Sequence, residues 1–214
     1  MKRFNSVVLD VDSTLSALEG IDWLASLRGS EVEETIAGLT DQAMRGVIPL
    51  ESVYRQRLEA VRPTSAEVAE LAIQYVSNLA PNAKESIALL RSRGVEVVVV
   101  SGGLREAILP LAAEVGLKPD AVHAVPVFFD ERGDYAGFDE RSVLARQNGK
   151  REAVSRLNLR PPIIAVGDGM TDTEIRGCAD SFAAYTGFVR REAVIAKADM
   201  VIEDFRQLAH TVLG

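Results

Sequence analysis

Unbroken runs of apolar residues are the feature that most limits the fold of this chain. Such runs lie at 6–10, 95–101, 121–127, 162–168, 181–185 and 200–202. A strand with one exposed face alternates apolar and polar residues, whereas a strand of a parallel sheet is covered on both faces. We therefore predict that these runs are strands of a buried parallel sheet.

The segments between most of these runs have the spacing of amphipathic helices. The predicted helices lie at 82–93, 103–115, 142–157 and 204–213. Strands that alternate with helices indicate an α/β fold, here with a Rossmann-like parallel core. A separate stretch at 127–138 has the pattern of a β-hairpin, with Gly133 in its turn.

One long stretch interrupts the alternation directly after the first strand. Helical spacing occurs within it at 31–45, 50–61 and 67–76, without a strand pattern. We predict a helical cap domain at 16–76, inserted into a core domain formed by residues 1–15 and 77–214. Ligands of open α/β sheets bind beyond the carboxyl ends of the strands, so a cap inserted there can cover the site.

The composition limits the class of protein. The 214 residues carry a net charge of −7 and a single cysteine, Cys178. An acidic chain gives no sign of the basic face that nucleic-acid binding needs, and one cysteine permits no intrachain disulfide. No apolar run approaches the ~18 residues that suggest a membrane span. We predict a cytoplasmic monomer or homodimer without nucleic-acid or membrane partners.

Polar motifs follow predicted strands or begin predicted helices. They are Asp10-Val-Asp12-Ser-Thr, Ser101-Gly102-Gly103, Lys150 and Gly-Asp168-Gly-Met-Thr-Asp172. Each motif alone could be a turn, a helix cap or a solvated charge. Turn residues would be scattered over both edges of the sheet, whereas all these motifs fall on one edge. We therefore predict that they form one site.

The motifs contain groups that can transfer a phosphoryl group. The carboxylates of Asp10 and Asp168 could hold the hard cation Mg²⁺, and Asp172 could join them as a third ligand. Three groups could cradle a phosphate, namely Ser101, the Gly102 N–H at a helix start, and Lys150. Ionised Asp10 could attack phosphorus without a separate base and form an aspartyl-phosphate. Asp12 could protonate the leaving oxygen and then activate the water that hydrolyses the intermediate.

Two other classes of protein use related residues. A signalling receiver domain is also phosphorylated on an aspartate near a lysine, but it lacks a cap, and Asp12 is placed here to turn over the phosphorylated intermediate. A nucleotide-binding module would need a glycine-rich loop after the first strand, and no G-x-G-x-x-G follows it. We interpret His123 and His210 as structural. A phosphatase accounts for the most residues.

The order of the motifs resembles the haloacid dehalogenase superfamily of phosphohydrolases over nearly the whole chain. The D-x-D-S-T and G-D-G-x-x-D motifs carry most of the resemblance. It implies that Asp10 is the nucleophile, that Asp12 is the acid/base, and that Ser101 and Lys150 hold the phosphate. The implied Mg²⁺ ligands are Asp10, the backbone carbonyl of Asp12, and Asp168, with Asp172 close by.

The cap resembles that of the phosphoserine phosphatase branch of this superfamily. There, a glutamate and an arginine bind the ammonium and carboxylate groups of the substrate; the matching residues are Glu19 and Arg57. The resemblance implies hydrolysis of L-phosphoserine, as in serine biosynthesis, and leaves open phosphoryl transfer to another alcohol such as homoserine. Other implied substrate contacts are Met44, Leu50 and Thr171. Leu50 and Thr171 replace a Phe and an Asn of many relatives, and Arg55 could share the role of Arg57.

Overall fold

The computed structural model of the chain describes residues 3–44, 47 and 50–214, without the side chains of residues 43–44 and 50–52. In this part the strands are β1 (Ser6–Leu9), β2 (Glu96–Leu104), β3 (Val122–Val125), β4 (Val127–Phe129), β5 (Tyr135–Phe138), β6 (Ile163–Gly167), β7 (Ser181–Tyr185) and β8 (Met200–Ile202). The α-helices are α1 (Gly20–Ser26), α2 (Ser30–Met44), α3 (Leu50–Val61), α4 (Ser65–Ser77), α5 (Ala83–Ser92), α6 (Arg105–Glu114), α7 (Gly149–Arg156), α8 (Met170–Thr173), α9 (Glu192–Ile195) and α10 (Phe205–Leu213). None of the helices described here is both long and apolar enough to cross a membrane.

Six strands form a parallel sheet in the order β3-β2-β1-β6-β7-β8. One of the two central strands is β1, in which Leu9 pairs with Val99 of β2 and Val166 of β6. All residues of β1, β6 and β7 are buried, as unbroken apolar runs predict for a sheet covered on both faces. The predicted α/β fold with a parallel sheet is therefore confirmed. Because the strands run the same way, the residues that follow β1 and β6 emerge at one edge.

The helices α1–α4 form a helical segment between the first strand and α5. The chain enters and leaves this segment at adjacent points. Ala17 N–H donates to the Asn78 carbonyl, and Ala80 N–H donates to the Leu15 carbonyl, each at 2.9 Å. The segment also contacts the rest of the chain where α4 packs on α6. As the sequence predicts, no strand of the sheet lies between β1 and α5 in the described residues.

Arg28 links the turns of the helical segment. Its guanidinium donates to both carboxylate oxygens of Glu67 at 2.6 Å, and its Nε donates to the Val61 carbonyl at 2.7 Å. Glu67 also accepts the N–H of Thr64 at 2.8 Å, in a capping box at the start of α4. Arg28 and Glu67 together thus join the loop after α1, the end of α3 and the start of α4.

The hairpin of β4 and β5 contacts the helical segment. Gly133 lies in its turn with φ of +85°, as the sequence predicts. The Ser65 N–H donates to the Gly133 carbonyl at 2.8 Å, so the start of α4 is bonded to this turn. The Tyr54 ring packs edge-on against Phe138, with 5.3 Å between the ring centroids. The hairpin therefore contacts both α3 and α4.

The helix predicted at 142–157 forms over only part of that range. The structure has a 3-10 turn at Val143–Ala145 and then α7, which begins at Gly149. Between them, Asn148 has a left-handed φ of +58°, a conformation that interrupts a helix. A Cβ at Gly149 would lie 1.9 Å from the Val143 carbonyl oxygen, so the turn approaches the helix start closely. The periodicity continued across this break, and the prediction was wrong there.

The helix predicted at 103–115 begins at Arg105, because β2 continues to Leu104. The prediction that the Gly102 N–H lies at a helix start is therefore wrong. The residue lies in extended backbone, and its carbonyl accepts the Tyr54 hydroxyl at 2.8 Å. An anion bound by the Gly102 N–H would therefore be stabilised by nearby cations and not by a helix N-terminus.

Candidate active site

Three buried carboxylates converge where β1 and β6 end. Asp10 follows β1, Asp168 follows β6, and Asp172 lies in α8 directly afterwards. One oxygen from each lies within 4.8 Å of the others. Buried like charges at this separation are unfavourable unless a cation compensates them. An oxygen-only ligand set of this kind is suited to a hard cation.

Lys150 is one of the cations that the chain itself brings to this cluster, and Arg191, which pairs with Asp168, is another. Its Nζ lies 2.7 Å from Asp10 and 2.6 Å from Asp172, and all three side chains are buried. Burial opposes the charge on Lys150, but the attraction of the two carboxylates outweighs it and raises its pKa above the usual value. The lysine therefore remains protonated beside the predicted nucleophile.

Asp172 is fixed by its backbone neighbours. Its Oδ2 accepts the Gly169 N–H at 2.9 Å, which orients the carboxylate at the start of α8. Burial and the nearby Asp10 raise the pKa of Asp172 to about 7, while Lys150 opposes this rise. Lys150 therefore does not fully offset the burial of Asp172 and its repulsion from Asp10. A bound cation would lower this pKa further.

Asp12 is held apart from the cluster by two donors. The Tyr75 hydroxyl donates to its Oδ1 at 2.5 Å, and the Gly20 N–H donates to the same oxygen at 3.3 Å. Burial is the main reason that the pKa of Asp12 rises well above its usual value, followed by repulsion from Glu19. A raised pKa favours the protonated form of Asp12, which its predicted role as proton donor to the leaving oxygen requires.

Glu19 faces the site from the start of α1. Its carboxylate accepts the Ser13 hydroxyl at 2.7 Å, and Arg191 lies 3.6 Å away. Burial raises the pKa of Glu19 above its usual value, and the Ser13 hydrogen bond opposes the rise. Arg191 also forms an ion pair with Asp168. Arg191, which bridges the helical segment and the carboxylate cluster, was not predicted from the sequence.

Arg57 is buried among three helices of the helical segment. Its guanidinium, on α3, pairs with Asp22 of α1 at 2.9 Å, and the Thr40 hydroxyl of α2 donates to the same carboxylate at 2.5 Å. The Nε of Arg57 is buried without a hydrogen-bond partner in the described residues. A buried guanidinium N–H without an acceptor is unfavourable, so Arg57 has capacity for another acceptor.

Most of the predicted site residues line one cavity between the helical segment and the sheet edge. The lining residues are Asp10, Asp12, Glu19, Ile21, Tyr54, Arg57, Ser101, Gly102, Lys150 and Thr171. The Ser101 hydroxyl, which is buried, accepts the Gly103 N–H at 3.0 Å. The cavity therefore brings together the predicted phosphate-binding residues, the acidic pair and the residues predicted to contact an amino acid.

Several other residues named from the sequence lie elsewhere. Arg55 is exposed and pairs with Glu140 at 2.6 Å, away from Arg57 and its cavity. His123 lies in β3 and His210 in α10, and neither lines the cavity. The side chains of Met44 and Leu50 are outside the described residues.

Tyr54, Tyr75 and Arg191 are residues of the site that were not predicted from the sequence. Arg191 lies in the loop after β7, so the rule that sites form at strand ends could have drawn attention to it. Tyr54 precedes Arg57 by three positions and therefore shares its helix face, which was also a usable signal. Tyr75 had no local signal, because its partner Asp12 lies 63 positions away in the chain.

Comparisons with known proteins agree with this geometry. A family model described as haloacid dehalogenase-like hydrolase matches residues 7–175. The phosphoserine phosphatase of Bos taurus is 35% identical over 207 residues, which are 95% of this chain and 91% of the relative.

Solved structures of similar proteins have the same fold. A phosphoserine phosphohydrolase-like protein from Francisella tularensis superposes with a TM-score of 0.87 at 26% identity, over 100% of both chains. A phospho-aspartyl intermediate analogue of phosphoserine phosphatase superposes with a TM-score of 0.83 at 28% identity, over 99% of this chain and 100% of that chain. The similarity therefore extends over the helical segment as well as the sheet.

Proposed function

We propose that this chain, a phosphoric monoester hydrolase that belongs to the haloacid dehalogenase-like hydrolases, hydrolyses L-phosphoserine to L-serine and phosphate. The observation that carries the proposal is the cavity in which the Asp10 and Asp12 pair faces Glu19 and Arg57. One half of this cavity has groups for phosphoryl transfer, and the other half has groups for an amino acid.

Asp10 is the proposed nucleophile. Its carboxylate attacks phosphorus, the bond between phosphorus and the serine oxygen breaks, and an aspartyl-phosphate forms. Lys150, 2.7 Å from Asp10, is positioned to stabilise the charge on the phosphoryl oxygens, together with Ser101 and the Gly102 N–H. Asp12 donates the proton that the departing serine oxygen needs.

Asp12 also completes the second half of the reaction. It now lacks its proton and accepts one from a water molecule, whose oxygen attacks the phosphorus of the aspartyl-phosphate. The bond to Asp10 breaks, inorganic phosphate leaves, and both aspartates return to their starting states. The raised pKa of Asp12 suits this alternation.

Mg²⁺ is the proposed cofactor, and the residues present fit it. Asp10, Asp168 and Asp172 offer buried carboxylate oxygens within 4.8 Å of one another, and the Asp12 carbonyl is the proposed further ligand. When bound, Mg²⁺ neutralises the carboxylates and polarises the phosphoryl group. Lys150 and Thr14, whose hydroxyl donates to Asp168 at 3.1 Å, orient these ligands.

Arg57 and Glu19 are the proposed amino-acid contacts. The free Nε of Arg57 can bind the substrate carboxylate, and the Glu19 carboxylate can bind the ammonium group. Thr171, which lines the cavity, is a further proposed substrate contact. Met44 and Leu50, whose side chains lie outside the described residues, are proposed as apolar contacts. Recognition of both charged groups separates phosphoserine from sugar phosphates, which lack them.

The test uses three substrates that differ by one group each. They are L-phosphoserine, phosphoethanolamine without the carboxylate, and 3-hydroxypropanoate phosphate without the ammonium group. Arg57→Ala should raise KM for phosphoserine about 10- to 100-fold and leave phosphoethanolamine nearly unchanged. Glu19→Gln should raise KM for phosphoserine and leave 3-hydroxypropanoate phosphate nearly unchanged.

The matched control is Arg55→Ala, which removes an exposed arginine two positions from Arg57. Its kinetics should equal those of the wild type for all three substrates. A wild type that prefers phosphothreonine, pyridoxal phosphate or sugar phosphates would contradict the substrate assignment. Equal losses on all three substrates in Arg57→Ala would contradict the role of Arg57 in carboxylate binding.

We also propose that residues 16–76 form a cap domain on a core domain of residues 1–15 and 77–214. The adjacent entry and exit points of the helical segment support these boundaries. The single cysteine favours a reducing compartment, so we propose a cytoplasmic location. The proposed assembly is a monomer or a homodimer, which light scattering would distinguish.

A further inference from the structure

Tyr75 has a hydroxyl group that points at the predicted acid/base. Its side chain is completely buried, and it donates to Asp12 Oδ1 at 2.5 Å. The Gly20 N–H donates to the same oxygen at 3.3 Å. We propose that Tyr75 is a positioning residue, which fixes the Asp12 carboxyl group so that Oδ2 handles the proton. This inference rests on the proposed aspartyl-phosphate mechanism.

Hydrogen-bond chemistry separates the two oxygens of Asp12. A backbone N–H can only donate, so Oδ1 must accept from Gly20 and is a poor site for a proton. No donor from the described part of the chain bonds Oδ2. When Asp12 is protonated, its hydrogen therefore lies on Oδ2, and the same oxygen takes the proton from water later. Without Tyr75 the carboxyl group loses the stronger of these two restraints.

The backbone holds Tyr75 in register with the loop that carries Asp12. The Ser16 hydroxyl donates to the Tyr75 carbonyl at 3.1 Å and lies 3.3 Å from the Asn78 carbonyl. Ser16 lies four positions after Asp12 in the same loop. The loop that carries Asp12 is therefore hydrogen-bonded to the Tyr75 backbone as well as to its phenol.

Position 20 leaves space for this contact. A Cβ on Gly20 would lie 2.0 Å from the Tyr75 hydroxyl oxygen and 2.8 Å from the ring carbon that bears it. Any larger residue would push the phenol away from Asp12. A glycine at position 20 is therefore required by the same contact that the tyrosine makes.

The step that depends most on this orientation is hydrolysis of the aspartyl-phosphate. The oxygen of water forms a bond to phosphorus, its proton goes to Asp12 Oδ2, and the bond between phosphorus and Asp10 breaks. A general base contributes roughly 10²- to 10⁴-fold to such a step when it is correctly oriented. A carboxyl group free to rotate should lose part of this factor, so the intermediate should persist longer.

The experiment measures this step directly in Tyr75→Phe. Excess enzyme with Mg²⁺ is mixed with ³²P-labelled L-phosphoserine, and acid quenching at intervals gives the amount of labelled protein. The first-order decay of the label should be at least about 10-fold slower than in the wild type. This rate constant does not depend on the folded fraction, so a loss of stability alone would leave it unchanged.

Tyr185→Phe is the matched control, because Tyr185 is also buried and lies outside the cavity. Its labelled intermediate should decay at the wild-type rate. A decay constant in Tyr75→Phe within about twofold of the wild type would overturn the proposal, whatever the amplitude. Absence of any labelled protein in the wild type, under conditions of turnover, would instead overturn the proposed aspartyl-phosphate mechanism.

Discussion

Gly167, the last residue of β6, has no room for a side chain. A Cβ there would lie 2.1 Å from Cγ of Asp172, whose carboxylate is bonded to Lys150 and to the Gly169 N–H. The glycine therefore keeps open the volume that a carboxylate of the cluster occupies. A requirement for glycine here comes from close approach rather than from backbone conformation.

We expect Gly167→Ala to displace Asp172 and to weaken the cation site. Phosphoserine hydrolysis should fall at least about 100-fold at a fixed Mg²⁺ concentration, because a misplaced ligand or catalytic group commonly costs this much. Part of the activity should return at higher Mg²⁺. The measurement is initial rate against Mg²⁺ concentration.

Gly38→Ala is the control for this substitution. Gly38 lies in α2, is exposed, and would place its Cβ near no other atom within 4 Å. We expect unchanged kinetics and a free energy of unfolding raised by about 0.5–1 kcal/mol, since alanine favours a helix over glycine. Unchanged Mg²⁺ dependence in Gly167→Ala would contradict the tight packing described for Asp172.

Residues of the site differ in how far the sequence predicts them. Asp10 and Asp168 were predictable because each follows an unbroken apolar run, and parallel strands end at one edge. Arg191 and Tyr75 reach the site through the folded arrangement of distant elements. Their contacts follow from how a loop and a helix pack, which residue spacing does not encode.

At the scale of elements, Glu67 is the residue that links the start of α4 to the loop after α1 in the helical segment. It closes the capping box of α4 and binds the Arg28 guanidinium with both oxygens. The Arg28 hydrogen bond is the main reason that the pKa of Glu67 falls to about 2, below its usual 4.5. Ionised Glu67 therefore stabilises the folded state above pH 4.5, and this stabilisation is lost as pH falls from about 4.5 towards 2.

We expect Glu67→Gln to lower the free energy of unfolding at pH 7 by roughly 1–2 kcal/mol. This range is below the full linkage value, because the Glu67 side chain is 26% exposed and water weakens the pair. The difference from the wild type should shrink when pH is lowered from 7 to 3. Urea unfolding at several pH values measures it.

Glu59→Gln is the control in the same segment. Glu59 pairs with Arg62 at 3.1 Å, and both side chains are about half exposed, at 49% and 60%. We expect a change of less than about 0.5 kcal/mol at every pH. A Glu67→Gln difference that stays constant down to pH 3 would mean that ionisation of Glu67 is not the source of its effect.

Elements were predictable where one local signal dominated. The strands of the sheet were predicted because burial on both faces leaves an unbroken apolar run. The break within the helix predicted at 142–157 was not predictable. It depends on the left-handed backbone of Asn148 beside a closely packed turn. The short helices α8 and α9 also lack the length that makes a periodic pattern visible.

At the scale of the whole molecule, the site is divided between two parts of the chain. Asp10 and Lys150 belong to the sheet and its helices, whereas Arg57 and Tyr54 belong to the helical segment. A ligand that contacts both parts must favour the arrangement in which they are close. The Ser65 N–H donates to the Gly133 carbonyl at 2.8 Å in this arrangement, so hydrogen exchange of the Ser65 amide measures how often the two parts separate.

We expect orthovanadate together with L-serine, which should occupy the phosphate half and the amino-acid half of the cavity, to slow hydrogen exchange of the Ser65 amide at least about 10-fold in the presence of Mg²⁺. The comparison amide is Glu96, which donates to the Asn5 carbonyl at 2.9 Å inside the sheet region. Its exchange should change little. Equal slowing of both amides would indicate general stabilisation by the ligand, without separate movement of the helical segment.

The helical segment begins and ends at neighbouring points. There the Ala17 N–H donates to the Asn78 carbonyl, and the Ala80 N–H donates to the Leu15 carbonyl. A different insertion could occupy the same junction without disturbing the sheet, since loop closure depends only weakly on length. Gly20 and Tyr75, near the two junctions, would have to be retained. In evolution or in engineering, such an exchange would give the chain a new substrate while leaving the bond-breaking residues as they are.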